Sequence, residues 1–137
     1  MVRMALALVV LVLFALLFSV ARMFAKIYDW KLLPAIRRAR RKVERAACRR
    51  VPNAEVSSSQ GATSINPAHL AFCIRTSTDK ERDLLRQDST IYEEFRTALV
   101  KSGYPPDAIS RVHFGIESQE TVDRDFGGSW REAVEMP

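Results

Sequence analysis

From Met4 to Ala21 the chain reads MALALVVLVLFALLFSVA, eighteen residues with no charge and no proline, bracketed by Arg3 and Arg22. Eighteen helical residues rise about 27 Å at roughly 1.5 Å each. Met23, Phe24 and Ala25 extend the run, with Arg22 snorkelling, toward the roughly 30 Å of a bilayer's hydrocarbon core. Backbone groups in lipid have to be paired inside the segment, so a helix is the form expected. Residues 1–25 therefore read as a transmembrane anchor, with Phe24, Tyr28 and Trp30 as interface residues. A cleavable signal peptide competes with this, because Ser19-Val20-Ala21 offers the small residues a signal peptidase reads, and it would make the remainder secreted or periplasmic. Against it, the run exceeds the apolar core of about 7–15 residues typical of such peptides, and a dense basic stretch begins at Arg22.

Charge orients the segment. Residues 1–51 carry twelve Lys/Arg against Asp29 and Glu44, whereas residues 52–137 carry nine Lys/Arg against fourteen Asp/Glu. The net +5 thus conceals a strongly basic first part and an acidic remainder. Only Arg3 and the α-amino group precede the apolar run, while Arg22, Lys26, Lys31, Arg37, Arg38, Arg40 and Arg41 follow it, which predicts the N-terminus outside and the C-terminal domain cytoplasmic. In that reducing compartment Cys48 and Cys73 are expected to remain thiols; in an exported protein they would be an obvious disulfide pair.

Residues 26–51 read as a basic juxtamembrane unit. Within KLLPAIRRARRKVERAACRRV, Pro34 suits the first turn of a new helix, and Ile36, Ala39, Val43, Ala46 and Ala47 recur at helical spacing. The expectation is a break after the span, then an amphipathic helix over about 35–50 ended by Pro52. Lys31, Arg37, Arg38, Arg40, Arg41, Lys42 and Arg45 would face anionic lipid. Nucleic acid is the weaker reading, since no aromatics are interleaved for base stacking and topology already requires positive charge here. The Ile36, Ala39, Val43, Ala46 seam also allows pairing between two copies, although alanine seams are weak.

Residues 52–67, with three consecutive serines and Gly61, read as a flexible linker. Residues 68–137 then read as a small α+β or α/β domain. HLAFCIRT (69–76) alternates as a strand with Leu70, Phe72 and Ile74 on its buried face. Thr78 with Glu81 and Thr90 with Glu93 are capping boxes. Ile91, Phe95, Ala98 and Leu99 form an apolar stripe, giving a helix over about 90–102 that ends at Gly103. SRVHFGIES (110–118) is a second alternating strand. Strand, helix, strand allows a parallel crossover, with a third strand able to make the sheet mixed. After the Gly127-Gly128 turn, Ser129 and Glu132 open a short C-terminal helix with Trp130 and Val134 facing inward. So thin a core favours self-association or a partner.

No P-loop, dinucleotide fingerprint, nucleophile elbow or CxxC pair is present, and no cofactor is implied. Asp123, Asp125 and Gly128 resemble the start of a calcium loop, but Gly127 and Val134 stand where oxygen ligands are required. Asp125-Phe126-Gly127 matches a kinase tripeptide in a chain too short for that fold. Alternation places His69, Cys73 and Arg75 on the outer face of the first strand and His113 and Glu117 on that of the second. If these strands are neighbours, Cys73, His69, His113 and Glu117 could form a thiol nucleophile with its base or a metal site. The leading expectation is instead a membrane-anchored protein-interaction or regulatory module, with Glu120, Asp123, Asp125, Phe126 and Trp130 as an acidic, aromatic partner surface.

Overall fold

The computed structural model describes the backbone of residues 2–59, 63 and 66–135, with the side chains of 2–9, 21, 24–30, 59 and 135 outside that description. Among the described residues it is a small α+β domain with seven helices, one of them a 3-10 turn, and a three-stranded mixed sheet.

Helix α1 (Val2–Cys48) is continuous, with Pro34 inside it. The break expected at the proline does not occur. An internal proline costs about 3 kcal/mol in a helix, so something must hold the two sides together. Leu32, Ala35 and Ile36 flank Pro34 and are all buried, followed by Ala39, Val43, Ala46 and Ala47. The apolar seam foreseen for a surface helix is thus consumed by the domain core. Packing of that stripe fixes α1 across its proline.

Among the described residues no helix is long and apolar enough to cross a membrane. Of the run at 4–21, positions 10–20 are described; the side chains of 4–9 and 21, like those of Phe24, Tyr28 and Trp30, lie outside the described residues. The structure therefore lends the expected span no support of its own. It does show the described part uncovered, with Leu11, Phe14 and Leu17 at 69%, 72% and 67% exposure.

Residues expected in a flexible linker form strand β1 (Glu55–Ser59), which pairs antiparallel with β2 (Ala71–Thr76). Its sequence, EVSSS, holds a single apolar side chain, Val56, which is buried. So faint an alternation could not announce a strand. Between the two, a 3-10 turn (Pro67–His69) is capped by Asn66, whose side chain accepts from the Ala68 amide.

Strand β2 leads through α2 (Asp79–Gln87), α3 (Ile91–Val100) and α4 (Pro106–Ile109) to β3 (His113–Ser118), parallel to β2. The sheet order β1-β2-β3 puts β2 at its centre. The Thr78–Glu81 capping box is present in full. The one expected at Thr90 is not, because Thr90 is itself helical in φ and ψ and makes no side-chain cap. Asp88 takes over the corner, its Oδ1 accepting from both the amide and the hydroxyl of Thr90.

The core lies between the sheet and the α1–α3 layer. Phe72 and Phe114 stack with centroids 5.5 Å apart, and Phe95 of α3 meets Phe114 at 5.3 Å. An arginine clamp closes the end of this layer: Arg50 binds Asp88 and Glu94, the latter at 2.9 Å, and Arg49 reaches Glu94 at 2.7 Å. The Thr90 hydroxyl first, and then Arg50, hold the Asp88 carboxyl down to about 2, and Arg50 lowers that of Glu94.

After β3 comes α5 (Gln119–Phe126), unforeseen from the sequence, then α6 (Trp130–Glu135). Ser118 caps α5 through the Thr121 amide, and Gly127, at φ 55°, ends it in the left-handed region that glycine adopts without strain.

Candidate functional site

Period-two alternation divides the sheet into two faces. Val56, Phe72, Ile74, Phe114 and Ile116 point to the core. The register fixes who meets whom on the other face: Ser57, Cys73 and Gly115 form one rung, and Glu55, Arg75 and Glu117 the next. Ala71 faces His113 one rung earlier. The expected sharing of a face by Cys73, Arg75, His113 and Glu117 is what the structure shows. His69 is elsewhere, exposed in the 3-10 turn.

Helix α6 roofs part of this face and leaves a cleft of about 610 Å³, lined among others by Cys73, Arg75, Gly115, Glu117, Trp130 and Val134. Gly115 contributes to the space. Standing beside Cys73 in register, it sends no side chain into the cleft, and a Cβ there would come within 3.4 Å of the His113 imidazole Nε2. Trp130 does not complete the core as expected. Its ring lies over the Arg75 guanidinium, 4.5 Å from centroid to Cζ, while its indole N–H donates to Gln119 Oε1 at 2.8 Å. Val134, also expected inward, is 47% exposed. With the core already filled by α1 and α3, the last helix covers the opposite face.

The electrostatics of the cleft activate neither its thiol nor its carboxylate. Burial pushes the Cys73 thiol up, Glu117 adds to this, and Arg75 only partly opposes both. A raised thiol is a poor nucleophile at neutral pH. Glu117 is no free base either: Arg82 binds it at 3.0 Å, Arg86 at 3.1 Å, and its Oε1 accepts the Ser118 amide. Arg86 also donates through Nε and Nη2 to the Ile116 carbonyl, so the outer edge of β3 is tied to α2. Among the described residues no group of three or more His, Cys, Asp or Glu is placed to hold a metal ion.

Two further helix N-termini, those of α2 and α5, follow the C-terminal ends of the parallel strands, a common place for ligands in α/β sheets. Here the protein fills it with its own carboxylates. Asp79 accepts from the hydroxyls of Ser118 and Thr121 and from Arg82 and Arg124, which hold its carboxyl well below the usual range. Glu120 accepts the Asp79 amide at 2.7 Å.

The residues expected as a partner surface are accordingly divided. Glu120 is bound to the start of α2, Asp123 accepts from Gln119 and Asp125 pairs with Arg124. Phe126 is half-buried and Trp130 belongs to the cleft. Asp123 and Asp125 lie within α5, and no calcium-type loop forms around them. Of the expected lipid-facing residues, Lys31, Arg37, Arg40, Arg41 and Arg45 are exposed. Arg38, also exposed, and the half-buried Lys42 donate to the carbonyls of Ser102 and Lys101 at the end of α3, where cations meet the negative pole of that helix.

Arg75 was legible as a face residue but not as the centre of the site. Arg86 gave no signal at all, since its role depends on where α2 passes β3.

No protein-family model matches the chain, and no curated protein or solved structure shows significant similarity to it.

Proposed function

We propose that the protein is a single-pass, membrane-anchored binding module: residues 4–21 sit in the bilayer, the domain stands on the cytoplasmic side, and a ligand or partner enters the cleft under α6. The observation that carries this reading is the charge-free apolar run at 4–21 of the sequence, from which α1 continues without a break. Its described apolar positions 10–20 are exposed, and its C-terminal part is built into the domain core. A contiguous run of exposed large apolar side chains requires a cover, and lipid supplies one along the whole length of a helix. Exposed Lys31, Arg37, Arg40, Arg41 and Arg45 follow on the same helix, where anionic headgroups would meet them. Binding is favoured over catalysis because the one thiol in the cleft is pushed up and its neighbouring carboxylate is engaged by two arginines.

Topology is tested with a full-length chain in which Cys48→Ser and Cys73→Ser remove the natural thiols and Ser89→Cys supplies an exposed one. A membrane-impermeant maleimide should label it only after permeabilisation, and alkaline carbonate should leave it in the membrane pellet. Labelling from outside intact cells overturns the orientation. Carbonate release, or a mature chain beginning at Arg22, overturns the anchor.

A further inference from the structure

The Arg75 side chain occupies an unusual position. Its register neighbours, Glu55 on β1 and Glu117 on β3, are both carboxylates. Glu117 is nonetheless taken by Arg82 and Arg86, and no ion pair joins Arg75 to either neighbour among the described residues. Its Nε is buried without a hydrogen-bond partner. One face of the guanidinium is covered by Trp130, and the Cys73 thiol beside it is a hydrogen-bonding neighbour of the Arg75 side chain. A buried N–H with an unmade hydrogen bond is costly to keep, and an acceptor entering the cleft would complete it.

The surroundings define that ligand. The cleft of about 610 Å³ lies within the range of small-molecule sites. Trp130 and Val134 give it apolar walls, and Gly115 leaves room on the sheet beside Cys73. Arg86 is engaged by Ile116 and Glu117, and Arg131 also has a contact within the protein, whereas Arg75 keeps a buried N–H, at Nε, unpaired among the described residues. A guanidinium presents Nε and Nη as a fork that matches a planar carboxylate, and one cation balances one negative charge.

We infer that the cleft under α6 binds a small organic monocarboxylate, its carboxylate on Arg75 and its apolar body between Trp130 and the sheet. This rests on reading the cleft as a binding site, not on the membrane anchor.

The full-length chain carrying Trp30→Phe, in non-ionic detergent, makes Trp130 the sole tryptophan and hence the reporter. It is titrated with 3-phenylpropionate, its neutral isostere 3-phenylpropionamide, and inorganic phosphate. The acid should change Trp130 fluorescence saturably and bind at least about tenfold more tightly than the amide or phosphate, the scale of a charge-assisted hydrogen bond. Arg75→Gln should lose roughly that factor. The comparison of acid with amide needs no change at Arg75, so it decides even if Arg75→Gln fails to fold. Equal binding of acid and amide overturns the carboxylate inference while leaving the cleft a binding site. Tighter binding of phosphate, unchanged binding by Arg75→Gln, or no saturable response to any of the three overturns it as well.

Discussion

The two faces of the sheet are built from the same three strands and obey opposite rules. On the core face Val56, Ile74 and Ile116 are buried, and the aromatic pair Phe72 and Phe114 stacks at 5.5 Å under Phe95. On the open face the central rung runs Ser57, Cys73, Gly115, small residues that leave a cleft, and the next rung keeps a buried guanidinium nitrogen unpaired. One face maximises burial and the other retains volume and unspent hydrogen-bonding capacity. The difference separates what folds this chain from what it is available to do.

That contrast can be broken most severely from the core side. Phe114→Ala removes the ring shared by both aromatic contacts and should cost about 3–5 kcal/mol, read from denaturant unfolding of the full-length chain in detergent. A loss below about 1 kcal/mol would mean that the core face is not the stabilising one. Next in size, Arg50→Ala releases the clamp on α3 and leaves Asp88 and Glu94 without their main cation, and should lower the thermal midpoint by less than Phe114→Ala does.

Acid should reach the same clamp without a mutation. The Asp88 carboxyl is lowered from 3.8 to about 2 in the folded protein, so its contribution is present above pH 4 and is lost as pH falls toward 2. The thermal midpoint should drop over that window, and the drop should shrink in Arg50→Ala. An undiminished acid transition in that variant would show that other carboxylates dominate.

On the open face the effects on stability should be small. Cys73→Ser should change unfolding by less than about 1 kcal/mol, because the thiol belongs to no core contact and a hydroxyl can still face Arg75. Gly115→Val should alter stability least, since an added Cβ meets the His113 imidazole at 3.4 Å and the Phe72 carbonyl at an ordinary 3.9 Å. It should nevertheless weaken 3-phenylpropionate binding by roughly tenfold or more through lost volume. A variant that binds normally would place the ligand elsewhere.

The core face could be read in the sequence because its signal is periodic. Leu70, Phe72 and Ile74, then Phe114 and Ile116, and the stripe from Ile91 to Leu99 each announce their element. Strand β1 could not, because a single Val56 among serines carries no period and its pairing is supplied by β2. Helix α5 was in principle accessible: Ser118 before it, Val122 and Phe126 four apart, and Gly127 after it are proper start and stop signals. Its charged composition masked them. The seam of α1 was found but given the wrong partner, since periodicity shows which residues are covered and not what covers them. The candidate site was half legible for a related reason. Alternation put Cys73, Arg75, His113 and Glu117 on one face, but the engagement of Glu117 by two arginines of α2 is a fact of tertiary placement.

The unbroken passage of α1 through Pro34 has a rotational consequence. A flexible tether would let the domain sample every direction, whereas a continuous helix converts residue number into angle. One residue inserted within α1 between the apolar run and Leu32 turns the domain by about 100° and displaces it by about 1.5 Å, while seven residues make nearly two whole turns and restore the bearing at a height about 10 Å greater. The direction in which the cleft opens, relative to whatever surrounds the first half of the helix, is thereby set by chain length alone.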